Sequence, residues 1–154
     1  MEIILTSRPI SLNPISWVNA ITRMKTRSPF DHVALNDNGV VYESTSGAGV
    51  QLIGMELWKI GREGTYLFCY KIPDNHKIDL EQFWRARGKK YDYWANILFL
   101  FGAKHGLKKR ATKRYFCSEL VATVLGLKDP FSYTPDDIQE YCEKAGWEPD
   151  IKKL

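Results

Sequence analysis

The sequence predicts an α+β fold, a small antiparallel sheet packed against helices on one side. Three observations lead there. Asp37-Asn38-Gly39 stands between two short apolar runs, the pattern of a β-hairpin. Further short extended segments crowd the first half of the chain, while stretches of helical period dominate the second. The 154 residues show no internal repeat and no low-complexity linker, so 1–154 reads as a single domain with room for a hydrophobic core.

In chain order, Ile3 to Thr6 is a short strand. Asn13 and Pro14 start a helix, a capping residue followed by a proline suited to the first helical position. Ile15, Val18, Ile21 and Met24 continue it, and Ser28-Pro29 ends it. His32 to Leu35 and Val40 to Thr45 are the two strands of the hairpin. A loop at Asp37-Asn38 pairs position 32 with 43; a loop at Asn38-Gly39 pairs 32 with 45 and 34 with 43. Side-chain period in a strand is two, so both registers put His32, Glu43 and Thr45 on one side of the sheet. Ser46 to Gly49 is a turn, Val50 to Ile53 a strand, and Met55 to Ile60 a short helix. Thr65 to Ile72 is apolar almost throughout, as a central strand would be. Asp79 caps a helix from Leu80 to Arg87, and Trp94 to Phe101 is a buried helix too short to span a bilayer. A basic loop follows, carrying Lys104, Lys108, Lys109, Arg110, Lys113 and Arg114. Leu120, Val121, Val124 and Leu125 form the stripe of a helix that begins near Cys117. Thr134-Pro135-Asp136-Asp137 caps a last helix, and Trp147 opens an irregular or short-strand tail.

Composition narrows the function classes. Hydrophobic residues at 44% and charged residues at 26% are those of a soluble globular chain. A net charge of +4 permits an anionic partner without demanding one. Three cysteines at scattered spacing argue for a reducing compartment rather than a disulfide framework. The first residues lack the basic and long apolar regions of a signal peptide, and no apolar run is long enough to cross a membrane. The expected location is the cytoplasm.

The chemistry gathers at Cys117. It stands at the first turn of its helix, beside unpaired backbone N–H groups and the positive end of the dipole, a setting that favours thiolates in general. Taken alone, the stretch reads as a packed core cysteine before it reads as a nucleophile. A partner histidine alters that balance. His76 and His105 fall in loops and read as surface residues. His32 begins a strand beside a tight hairpin and shares a face with Glu43. A thiol nucleophile needs a base within reach, and the base needs a third group to hold its ring. Cys117, His32 and Glu43 supply each type once; a helix packed on that sheet face would bring sulfur to imidazole. The competing reading has His32 half-buried and satisfied and Glu43 solvated.

Ser28-Pro29-Phe30-Asp31-His32-Val33-Ala34-Leu35, Val41-Tyr42-Glu43-Ser44-Thr45, Gly49-Val50 and Tyr115-Phe116-Cys117-Ser118-Glu119-Leu120-Val121 together resemble the YiiX/YaeF-like branch of the NlpC-type papain-like superfamily. The related lecithin–retinol acyltransferase-like proteins share its circularly permuted order: histidine first, an acidic residue on the next strand, cysteine last. The resemblance covers roughly positions 1 to 146. It implies a circularly permuted papain-like fold, with Cys117 as nucleophile, His32 as base and Glu43 as orienting residue. It also implies that Tyr91 lines the substrate site or helps hold an oxyanion; as a packing aromatic it reads equally well. The Cys117 backbone N–H is the better oxyanion donor. Glu119 belongs to the motif and reads as structural, an acid in the first helical turn. The long basic loop departs from the family pattern.

The expected function is that of a cysteine hydrolase, of the amidase or peptidase class, acting on an amide or related acyl bond through a thioester. It needs no cofactor and no metal, and its partner is a peptide- or acyl-containing substrate. Two other readings stay open. One is a lipid-directed acyltransferase or thioesterase that meets an anionic surface or lipid through residues 97–101 and the 104–114 loop. The other is a catalytically inactive binding module on the same fold. No specific nucleic acid is expected.

Overall fold

The computed structural model describes residues 1–8, 29–92 and 114–154. The expected helices at 13–24 and 94–101, His105, and the basic loop except for Arg114 lie outside the described residues. Six strands form one antiparallel sheet: β1 (Glu2–Ser7), β2 (His32–Asp37), β3 (Val40–Thr45), β4 (Gly49–Gly54), β5 (Tyr66–Lys71) and β8 (Pro149–Lys153). Their spatial order is β4-β3-β2-β1-β5-β8. β5 is flanked on both sides, as its apolar run requires, and the C-terminal tail is a true edge strand. A second, two-stranded parallel ribbon joins β6 (Lys90–Tyr91) to β7 (Arg114–Tyr115).

The hairpin takes the Asn38-Gly39 loop. Asp37 pairs with Val40, Asn36 with Val41 and Leu35 with Tyr42. Asn38 and Gly39 have φ of 49° and 83°, left-handed at both central positions. That is the turn whose twist matches the flanking strands, and Asn-Gly is the pair that adopts it most readily.

Helices cover both faces of the sheet. On one face α3 (Cys117–Val124) packs on β2 and β3, against α2 (Leu80–Ala86) and α4 (Pro135–Lys144). The core there joins Ile3, Leu5, Val33 and Leu35 of the sheet to Phe83, Leu120, Val121, Val124 and Ile138 of the helices. On the other face the short α1 (Met55–Lys59) lays Trp58 on Ile4, Ala34, Val41, Leu67 and Cys69. The sheet is thus sandwiched, which a reading of hydrophobic period could not foresee: α1 is too short to show a stripe.

Local signals explain most helix ends. Thr134 caps α4: its Oγ1 accepts from the Asp137 N–H at 3.2 Å, and the Asp137 carboxylate accepts from the Thr134 N–H at 2.7 Å, a reciprocal capping box. Asp79 precedes α2, but its side chain makes no cap; it accepts from Gln82 Nε2 at 3.1 Å, while its backbone N–H reaches Val124 O at 2.8 Å. That bond ties the start of α2 to the end of α3. Every residue of α3 except Thr123 is buried, so the helix that carries Cys117 is enclosed.

Candidate active site

The site forms where the sheet opens. β1 stays paired with β2 as far as Thr6 opposite His32, and β3 stays paired with β4 as far as Thr45 opposite Gly49. Between β2 and β3, however, the ladder runs only from Asp37–Val40 to Leu35–Tyr42. Beyond that pair the two strands separate, and α3 packs against both of them. His32 and Glu43 lie on the separated ends. Their side chains meet across the gap, His32 Nε2 to Glu43 Oε2 at 2.9 Å.

The approach of Cys117 differs from the expected one. By strand alternation His32 and Glu43 belong with Ala34 and Val41, on the face covered by α1. α3 and Cys117 lie on the opposite face, with Val33 and Leu35. The groups meet at the open end of the sheet rather than on one flat face, and there Cys117 lies near enough to the His32 side chain to act on its titration. With Nε2 turned to Glu43, Nδ1 is the ring nitrogen left for the sulfur. Cys117 is buried, 6% exposed, and opens α3 with Phe116 as its N-cap.

Electrostatics bind the three groups together. Burial alone would lower the His32 imidazole, but the neighbouring Cys117 and the hydrogen-bonded carboxylate of Glu43 overcome that and raise it from 6.5 to about 9. Burial would raise the Glu43 carboxyl, but His32, then Gln51 and Trp58, reverse this and hold it down at about 2. At neutral pH the pair is therefore imidazolium and carboxylate.

Glu43 is more heavily engaged than its sequence position suggests. It is 2% exposed, which rules out the solvated reading. Trp58 Nε1–H donates to Oε2 at 2.8 Å and Gln51 Nε2–H to Oε1 at 2.9 Å. Arg62 Nη2 stands 3.6 Å from Oε2, and its guanidinium sits over the Trp58 ring, 4.2 Å from the centroid. Sequence reasoning did not single out Trp58, Gln51 or Arg62. Only Gln51 left a trace, since once the β3–β4 register is known it falls directly opposite Glu43.

The remaining motif residues are structural neighbours. Tyr91 is half-buried in β6, in register with Tyr115, two residues before Cys117. Glu119 is buried, and its Oε2 accepts from the Phe116 N–H at 3.4 Å. Burial raises its carboxyl to about 8, against that backbone bond and with added repulsion from Asp92. It caps the first turn from a buried place that favours its protonated form. His76 is not a free surface group: its ring packs edge-on against Trp147 with centroids 5.2 Å apart. A groove of about 330 Å³ lined by Ser132, Tyr133, Asp137, Glu140, Tyr141 and Lys144 includes none of the three groups. Its Tyr133 carbonyl accepts from Ser118 Oγ, next to Cys117, at 2.7 Å. Among the described residues no group of three or more His, Cys, Asp or Glu side chains could hold a metal ion, and no helix is long and apolar enough to cross a membrane.

No model of a known protein family matches the chain, and no curated protein sequence matches it either.

Proposed function

We propose that the chain is a cysteine hydrolase of the amidase or peptidase class, on a circularly permuted papain-like fold, acting on an amide or related acyl bond. The observation that carries this reading is the His32–Glu43 pair at 2.9 Å, with Cys117 beside the ring and the ring favoured as an imidazolium. In the proposed reaction the Cys117 proton is carried by His32; the thiolate Sγ bonds to the carbonyl carbon, and the C=O electron pair moves onto oxygen. The Cys117 backbone N–H, at the first turn of α3 where no intrahelical acceptor exists, faces that developing charge. Collapse expels the leaving group, which takes the His32 proton and leaves a thioester. Water then attacks the thioester, gives its proton to His32, and Cys117 departs as thiolate. Glu43 keeps the ring oriented and compensates its charge. Tyr91, paired with Tyr115 two residues before the nucleophile, borders the acyl substrate. The three cysteines are all unpaired and buried, which supports a reducing compartment and hence the cytoplasm.

The test is replacement of Cys117 and His32 by alanine. On any ester, amide or peptide that the wild type cleaves, each variant loses roughly 10³-fold or more in kcat/KM. Full activity in both variants would overturn the reading.

A further inference from the structure

Three side chains grip the Glu43 carboxylate besides the histidine. We propose that Trp58, Gln51 and Arg62 are positioning residues, which lock Glu43 in one orientation as an anion and thereby aim the His32 ring at Cys117. This assignment rests on the catalytic reading of Cys117 and His32.

A lone carboxylate on a strand can turn about its side-chain bonds, and a ring tied to it turns as well. Here each oxygen is fixed separately. Gln51 comes from the neighbouring strand, directly across the ladder, and takes Oε1 at 2.9 Å. Trp58 comes from α1 and takes Oε2 at 2.8 Å. The Trp58 indole is fully buried and can only donate, so it needs an acceptor as much as Glu43 needs a donor. Arg62 follows α1; it lies over the indole and brings a cation to 3.6 Å from Oε2. That charge disfavours protonation of Glu43.

The charges around this carboxylate can be assigned strand by strand. β2 contributes His32, and β4 contributes only the neutral Gln51. Arg62 is the cation on the α1 side. Asp31 and Arg8 pair with each other, Arg8 Nε to Asp31 Oδ2 at 3.4 Å, and both act on Arg62. α3 approaches from the opposite face and supplies Cys117. The carboxylate is thus held from one side of the sheet while the nucleophile arrives from the other.

Trp58 also fills the core on its face, so a purely structural role has to be separated from a positioning one. Trp58→Phe keeps an aromatic ring and deletes the N–H. Gln51→Leu deletes the other neutral donor at a half-buried position and serves if Trp58→Phe fails to fold. Neither substitution alters charge. The readouts are the imidazole titration of His32 by NMR and the rate of Cys117 alkylation by iodoacetamide against pH, neither of which needs a substrate. In folded variants the His32 midpoint moves down from about 9 toward its ordinary value, and alkylation at pH 6 slows about tenfold. At pH 10 the rates converge with the wild type. Unchanged titration and alkylation profiles in a folded variant would overturn the positioning role while leaving the Cys117–His32 pair intact. If wild-type alkylation is itself indifferent to His32→Ala, the catalytic reading falls, and the positioning role with it.

Discussion

Ser44 and Tyr115 are joined by a hydrogen bond of 2.7 Å, from the Ser44 hydroxyl to the Tyr115 carbonyl, across 71 positions of sequence. Ser44 is fully buried beside Glu43, and Tyr115 lies two residues before Cys117. The bond therefore sets the spacing between the strand that holds the carboxylate and the segment that delivers the sulfur. Ser44→Ala leaves the Tyr115 carbonyl, among the described residues, with the Asp92 N–H alone, at 3.2 Å. The expected loss is about 1 kcal/mol in urea denaturation. On a substrate the wild type turns over, kcat/KM falls about tenfold because the reacting groups drift out of line.

The His32–Glu43 pair makes stability depend on pH in both directions. His32 holds its proton more tightly folded than unfolded, so its contribution is complete below about pH 6.5 and is lost as pH rises through about 9. Glu43 binds its proton more weakly when folded; its contribution is complete above about pH 4.5 and is lost as pH falls toward about 2. Both are complete between about 4.5 and 6.5. In thermal melts across pH, His32→Ala is expected to flatten the fall in melting temperature on the alkaline side. The proposed hydrolysis, with the imidazolium as its acid, is expected to decline over the same alkaline range.

Glu119 works in the opposite sense to Glu43. Its carboxyl is raised to about 8 by burial, so the unfolded chain releases the proton first and stability falls as pH climbs from about 4.5 to about 8. Glu119→Gln keeps the side chain's size and removes the ionisation. Each tenfold in proton affinity is worth about 1.4 kcal/mol, offset in part by the amide N–H that glutamine introduces into a buried place. The variant is expected to match the wild type near pH 4.5 and to exceed it in denaturant resistance at pH 8.

Gly49 starts β4 at φ of 72°, and a Cβ built on it would stand 2.2 Å from the Lys89 carbonyl oxygen. That oxygen is engaged: it accepts from the Val50 N–H at 2.9 Å. Gly49→Ala meets both backbone strain and a clash with main chain that cannot swing aside. The expected cost is about 2 kcal/mol or more, read as a lowered midpoint in chemical denaturation with Cys117 alkylation slowed by displacement of β6.

The hairpin was the most legible part of this chain because its code is local. Asn38-Gly39 sets the twist of the turn, the turn sets the register, and the register puts positions 32 and 43 within reach of each other. Thr134 and Asp137 were legible for the same reason: both partners of that cap lie within one helical turn. The encounter with Cys117 was legible in its partners but not in its route. Side-chain alternation implied one shared face; the separation of β2 from β3 past Leu35–Tyr42 lets groups of opposite faces meet. No pattern of period two announces where a ladder stops. Trp58 and Arg62 were illegible because a short helix folded onto the far side of a sheet carries no sequence mark of what its indole will touch. Glu119 was legible as a structural acid of the first turn, but its burial was not, since that is decided by the helices and strands around it.

The borders of the sheet also bear on how the molecule behaves in crowded solution. At one border Val50 of β4 spends its N–H on Lys89 and its C=O on Gly88. At the other, β8 begins with Pro149, which has no N–H to offer, and exposes Lys152 and Lys153. Neither rim makes a good template for another chain to extend strand by strand. Runaway stacking of copies into fibrils should therefore be resisted at both ends, even though the interior strands Ile3 to Leu5 and Leu67 to Tyr70 have the composition that would favour it if they were laid bare.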